Sequence, residues 1–431
     1  MTTLGASFNY LASEHGAKGE RMLGTTDRIT IRIDNARHER TGVHGRLVMF
    51  VNDRHVYYDQ INLEKGDQRS RFCRECVRNL DDAIVSVYSE KAITHDIGRI
   101  CQAVISWDLE NTKIDYIDPT EFATPITFPV YPYLMESAGT ILFAPPGTGK
   151  SWVALIMAMC IANGMASPFN ATKRPVIYAN LERPRNTFLM RDHAVRRALS
   201  FPADQPSGIG YIHGRGRTFK SVLAQIENDG RKNPDTVVIL DSISRTGLGS
   251  LVEDTTANQF TDSMNSLGLT WLGVGHTPRD NDKHVFGSVH FTAGCDIETR
   301  LVGSEHGNSL HLMLESVKAN DAPRNYKHAI ALDFGAEQAE GLVGIREIQA
   351  DDPDLISQST DSSFKIAHAI EELGGKATTR QIAEAAELHD SNVSRILRSP
   401  KGKFIQLPGD GKEKYYAIRA NHYHDNYQSL S

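Results

Sequence analysis

Residues 141–164 read ILFAPPGTGKSWVALIMAMCIANG. An apolar run that begins at Gly139 stops at Ala144. A Pro-Pro-Gly-Thr-Gly-Lys-Ser turn follows, and then an apolar stretch of helical length. The pattern predicts a strand, a tight loop and a helix over 150–163. A loop in that place gathers backbone N–H groups into one concave cradle, and the helix N-terminus adds its positive end. Gly147 and Gly149 let the backbone approach an anion without a side-chain clash. The candidate binding residues are therefore Pro146, Gly147, Thr148, Gly149, Lys150, Ser151 and Trp152. Lys150 would reach terminal phosphates, and the Ser151 hydroxyl would sit on Mg²⁺. The usual pattern starts with glycine where this chain has Ala144. One methyl group is tolerated there if φ is negative.

From 138 to about 348, strands alternate with helices. The predicted strands are GTILFA, PVIYANL, GIGYIHG, TVVILD, LTWLGVGH, LHLMLESVK and AIALDFG, and further helices fall at 187–200, 217–229 and 256–266. Nearly all-apolar strands alternating with helices predict a parallel sheet covered on both faces. The late strand-only segments predict an antiparallel extension.

Three strand ends carry the partners a phosphate loop needs. TVVILDS delivers Asp241 to the carboxyl edge of the sheet, where open parallel sheets bind ligands. There it would hold the water shell of Mg²⁺. VIYANLERP places Glu182 directly after a neighbouring strand, where a carboxylate can polarise an attacking water. The residue after Asp241 is Ser242, so the general base is not beside the metal acid. LTWLGVGHTPR ends in His276 and Thr277, which can hydrogen-bond a terminal phosphate and report its loss to a moving loop.

The chain has 431 residues and a formal net charge of −6, enough length for two or three domains and no global basic field. Five cysteines give no disulfide framework and point to a reducing, cytoplasmic compartment. Cys73 and Cys76 form one C-x-x-C with no second pair nearby, so helix positions are favoured over zinc. The run WVALIMAMCIA is too short to span a bilayer.

Residues 1–20 read as a mobile leader. RITIRI, GRLVMFV and RHVYYDQIN alternate as strands. Helices are predicted at 67–80 and 84–104, the first with Arg69, Arg71, Arg74 and Arg78 along it, either a solvated face or a phosphate or partner contact. Residues 21–120 are read as an N-terminal α+β domain, 121–348 as the sheet domain and 349–361 as a polar linker.

Residues 362–431 hold three short helical patterns and a hairpin around Pro-Gly-Asp-Gly. This resembles a winged helix–turn–helix, a fold that serves DNA binding or protein contacts. Ser391, Asn392, Ser394, Arg395, Arg398, Lys401 and Lys403, with Lys412 and Lys414 on the wing, are the candidate nucleic-acid contacts.

Taken in order, Gly147–Ser151, Glu182, Asp241–Ser242 and His276–Thr277 resemble the RecA-fold ATPases of the clan that includes RepA-type hexameric helicases and phage- and plasmid-associated AAA family ATPases. HVFGSVHF (284–291) and SVKANDAPRN (316–325) resemble two further segments of that group. The resemblance covers roughly 138–335. It implies a RecA-like α/β fold, ATP and Mg²⁺ as ligands, a ring, normally a hexamer, and a basic finger supplied by a neighbouring subunit. Arg300, Lys318 and Arg324 are the finger candidates. The implied activity is ATP hydrolysis coupled to DNA as a replication helicase or motor. The alternatives are an ATP-switched DNA-binding regulator or loader and, with no second substrate motif, a phosphotransferase.

Overall fold

A computed structural model describes residues 8–13, 16–39, 41–111, 125–230, 232–278, 283–336, 341–399, 403–407 and 413–419. The chain divides into two compact units, 1–124 and 125–431. No helix among the described residues is long and apolar enough to cross a membrane.

The first unit is an antiparallel meander in the order β1 (Asn9–Ser13), β2 (Gly16–Leu23), β3 (Asp27–Glu39), β4 (Gly42–Val51) and β5 (Arg54–Asn62). Ile29, Ile31 and Ile33 point to one face of β3, as period-two alternation requires, and are buried with Leu47 and Met49 of β4. On that face lie α1 (Gly66–Asn79), α2 (Asp82–Val87) and α3 (Glu90–Asn111). Two expectations need correction. The expected leader contributes β1 and the start of β2; β1 pairs with β2, and β2 registers against Asp27–Asp34 of β3, through ladder bonds that local composition does not reveal. The single helix over 84–104 breaks at Tyr88, which leaves the helical register to donate its hydroxyl to buried Asp96 (2.9 Å). Cys73 and Cys76 are buried helix positions, with Cys73 Sγ 3.0 Å from Thr94 Oγ1. Of the arginines on α1, Arg71 pairs with Asp59 and Arg78 with Glu75.

The second unit is built on nine strands: β6 (Gly139–Ala144), β7 (Val176–Asn180), β8 (Ile209–His213), β9 (Val237–Asp241), β10 (Thr270–His276), β11 (Ile297–His306), β12 (Ser309–Ala319), β13 (Lys327–Phe334) and β14 (Leu342–Ile348). Their spatial order is β14-β13-β12-β11-β6-β10-β9-β7-β8. From β8 to β11 every pairing is parallel, and β11 to β14 form the antiparallel extension. Both faces are covered. Leu142, Ile239 and Leu272 pack against α4 (Lys150–Asn163) and α5 (Arg185–Ala198), while Ile141, Val238 and Trp271 pack against α6 (Phe219–Gly230), α7 (Asp254–Asn265) and the short α8 (His290–Gly294). This is the mostly parallel α/β sheet that the apolar strands predict.

β11 and β14 are additions to that expectation. β11 hides because its charges are buried. Arg300 is 2% exposed and faces Glu315 of β12 at 3.7 Å. Glu315 also takes Ser359 Oγ at 2.7 Å and lies 3.7 Å from Lys327 Nζ.

The polar stretch after β14 is not an open linker. Asp352 accepts from the Asp354 N–H and caps α9 (Pro353–Gln358), whose Leu355 is fully buried. Beyond it come α10 (Ser362–Glu372), β15 (Ala377–Thr378), α11 (Thr379–Ala385), α12 (Asp390–Leu397), β16 (Phe404–Leu407) and β17 (Tyr415–Ile418), the last pair with β15 in one small sheet. Ile366, Ile370, Ile382, Val393 and Leu397 form its core, and Leu373 is exposed.

Candidate phosphate-loop site

The parallel registers bring the strand ends together. Asp241 of β9 lies beside Asn180 of β7 and Val274 of β10, and His276 of β10 lies beside Ala144 of β6. Phosphate loop, Asp241, Glu182 and His276 therefore share one edge of the sheet. Ala144 is fully buried and does not adopt positive φ, so its methyl group is accommodated. The glycines that matter are Gly147 at φ +88° and Gly149 at φ +99°. A Cβ on Gly147 would meet no atom within 4 Å, leaving open space over the loop, and no side chain caps the N-terminus of α4. The donors of that helix end face outward for an anion.

Lys150 folds back over the loop, and its Nζ donates to Ala144 O at 2.8 Å and Pro145 O at 2.7 Å. Burial pulls its ammonium down to about 8, against the opposing pull of Asp241 and Glu182. Asp241 is 3% exposed. Burial pushes its carboxyl up, and hydrogen bonds from the Tyr178 hydroxyl (2.9 Å to Oδ2) and Ser151 work the other way. Its Oδ1 is buried with no hydrogen-bond partner, as are His276 Nδ1 and Thr277 Oγ1. Buried polar atoms are normally satisfied, so three orphans at one edge mark a place for a polar ligand. Ser151, Asp241 and the loop donors fit a magnesium-bound nucleotide.

Glu182 sits one step beyond the sheet. Asn180 Oδ1 accepts from the N–H groups of Glu182 (3.2 Å) and Arg183 (2.9 Å), and Asn180 Nδ2 donates to Arg183 O and the Tyr211 hydroxyl. This Asx-type turn fixes where the Glu182 side chain begins. Ser242 Oγ donates to Glu182 Oε2 at 3.3 Å. Burial lowers the His276 imidazole below its ordinary value, and Lys150 adds to this, so the ring is neutral at pH 7 and offers one donor and one acceptor.

The sequence reading missed three members of this neighbourhood. Asn180 was legible as an Asn ending an apolar strand. Arg191, held with its guanidinium 4.6 Å over the Trp152 ring, is drawn down by burial and by Arg183, and carried no motif. Tyr178 looked like an ordinary strand residue.

The finger candidates separate. Arg300 is corrected outright. It lies in the core, paired with Glu315 and donating to Gln358 O at 2.5 Å, so no neighbouring subunit meets it. Lys318 donates to the carbonyls of Thr292 (2.5 Å) and Cys295 at the end of α8. Arg324 is exposed, donating from Nε to Ala319 O. By register Lys318 lies level with Ile141, in the middle of β6.

On α12, Ser391, Arg395 and Arg398 are exposed, while Asn392 and Ser394 are half-buried and Asn392 accepts from Arg395 (2.7 Å). Lys403 is half-buried and Lys414 exposed, and Lys401 and Lys412 lie outside the described residues. Residues 279–282, in the segment after Thr277, also lie outside them.

The Lys150 environment gives a pH prediction. The free protein carries the ammonium below about pH 8 and sheds its proton above it. A bound triphosphate holds the charged form, so binding above that pH takes up a proton. Affinity for ATP is expected to be level from pH 6.5 to 7.5 and then to fall by up to about tenfold per pH unit. Titration calorimetry across pH 6.5–9.5 measures this, and a flat profile to pH 9.5 contradicts it.

Residues 124–282, less than half of the chain, match the family model described as "AAA domain". No curated protein matches. Among solved structures, the flagellar accessory protein FlaH from Methanocaldococcus jannaschii is similar at 17% identity, over 49% of this chain and 90% of its own, with a TM-score of 0.33. The family match and the phosphate-loop edge agree on a coarse assignment, an ATPase domain of RecA fold in the middle of the chain.

Proposed function

We propose that this chain is a DNA-associated ATP hydrolase that works as a ring, as a replication helicase or motor. One observation carries the catalytic part: the registers of β6, β9, β7 and β10 bring Lys150, Asp241, Glu182 and His276 to one edge, where buried polar atoms lack partners. Bound Mg²⁺ supplies charge neutralisation on the phosphates. Ser151 and Asp241 would hold it. Lys150 leaves its two carbonyls for the terminal phosphates. Glu182, started in place by Asn180, accepts the proton of the attacking water. Neutral His276 hydrogen-bonds the terminal phosphate and carries its loss into the segment after Thr277, since its carbonyl already accepts from Phe286 N at 2.6 Å.

The ring reading rests on Arg324, which alone among the finger candidates is exposed and is therefore open to a neighbour's site. The C-terminal module supports the DNA part. We read its three helices and small sheet as a winged helix, with α12 as the reading helix and Arg395, Arg398 and Lys414 facing outward. The buried Arg300–Glu315–Lys327 cluster ties the module to the ATPase sheet: Lys327 reaches Asp361 at 3.0 Å, and Asp361 caps α10.

The test is phosphate release by the full chain with and without single-stranded DNA, beside strand separation on a forked duplex. DNA is expected to stimulate turnover, and stimulation is expected to weaken steeply with salt. Turnover indifferent to DNA, with the fork left paired, defeats the motor reading and leaves an ATP-switched regulator or loader.

A further inference from the structure

At the carboxyl end of β11, two histidines converge on one carboxylate. His306 Nε2 lies 2.7 Å and His311 Nδ1 2.9 Å from the same oxygen, Asp352 Oδ2. The rings are stacked with centroids 4.2 Å apart. Among the described residues this is the one group of three His, Cys, Asp or Glu side chains whose ligand atoms all lie within 4.8 Å of one another. From these positions we infer that His306, His311 and Asp352 form a binding site for a zinc-class divalent ion.

The chemistry fits that class. Two imidazoles and one carboxylate leave a fourth position for water, and imidazole suits zinc where magnesium prefers oxygen alone. Tetrahedral bonds of about 2.0–2.1 Å put ligand atoms about 3.3 Å apart, so the two imidazole–carboxylate distances need to open by about half an ångström. The supporting contacts are in place. Asp352 Oδ1 is committed to the Asp354 N–H at 3.0 Å, which leaves Oδ2 facing the rings. Ser304 Oγ lies 3.1 Å from both His306 Nε2 and Asp354 Oδ2, so it gives up the ring nitrogen when that atom takes the ion and keeps Asp354.

The location gives the ion a consequence. β11 and β12 floor the phosphate loop: a Cβ on Gly303 would lie 3.3 Å from the Thr148 methyl, and one on Gly149 would lie 3.2 Å from Leu312. α9 begins at Asp352 and leads to the Glu315 cluster. An ion here staples that floor to the helix that leads into the C-terminal module.

The probe is Zn²⁺, titrated into chelator-treated full-length protein against a chromophoric competitor, with Co²⁺ spectra as a second readout. One saturable site is expected, with visible Co²⁺ bands of a tetrahedral centre and a raised thermal midpoint. His306→Ala and His311→Ala are each expected to weaken Zn²⁺ by on the order of a hundredfold or more, since losing even a supporting contact costs about 10–100-fold. Cys73→Ser/Cys76→Ser is expected to change nothing. No saturable site and no Co²⁺ bands in the unmutated protein overturn the inference, as does binding that survives the histidine changes or disappears with the cysteines. Because Zn²⁺ binding is read without nucleotide, its failure is separate from any failure of the ATPase reading.

Discussion

Glu182→Gln is expected to reduce ATP turnover by about 10²–10⁴-fold while leaving Mg·ATP binding within a few-fold of the unmutated chain. The substitution keeps shape and polarity but removes the group that takes a proton from water. The backbone of residue 182 is held by Asn180 Oδ1 whichever side chain follows, so the glutamine starts from the same place. The carboxamide can still accept from Ser242 Oγ, which approaches Glu182 Oε2 at 3.3 Å. Loss of turnover with retained binding is therefore attributable to proton acceptance rather than to collapse of the turn. Single-turnover phosphate release separates the two, and unchanged turnover would move the base elsewhere on this edge.

Lys150→Ala is the second large effect, and it acts on binding. In the free protein Lys150 makes two hydrogen bonds, both to its own loop carbonyls. Its depressed ammonium shows that burial is only partly offset. Alanine removes that unfavourable charge along with the two bonds, so the fold is expected to survive, with a thermal midpoint close to that of the unmutated chain. What is lost is the cation that exchanges those carbonyls for phosphate oxygens. Two charge-assisted hydrogen bonds at about 1.5–3 kcal/mol each correspond to a loss of affinity on the order of 10²-fold or more.

β6, β7, β9 and β10 and the phosphate loop were legible because these strands are apolar on both faces, and β7, β9 and β10 end in a polar residue at the ligand edge. That pattern needs no long-range knowledge. Where charge is buried, composition misleads. β11 reads as polar because Glu298, Arg300 and Glu305 interrupt it, yet Arg300 is neutralised by Glu315 from the next strand. The same pairing removed Arg300 from the finger candidates. The segment 349–361 reads as a linker by composition, although Asp352-Pro353 was a readable helix start and Leu355 a readable anchor. The edge strand β1 depends on register with β2, and β2 on register with β3, which no local pattern carries. At the site, Lys150, Asp241, Glu182 and His276 were legible from strand ends, but Arg191 and Tyr178 were not. They belong to the edge only because α5 and β7 fold against it, with the Tyr178 and Phe188 ring centroids 5.2 Å apart and Arg191 over Trp152.

The central claim is that the loop at 145–151 and the three strand ends beside it form one nucleotide-hydrolysing site. The most direct measurement is equilibrium binding of Mg·ATP to the unmutated chain, Lys150→Ala and Glu182→Gln side by side, with all three shown folded by thermal melting. Binding is expected by the first and third, with a loss on the order of 10²-fold or more in the second. Equal binding by all three would contradict it.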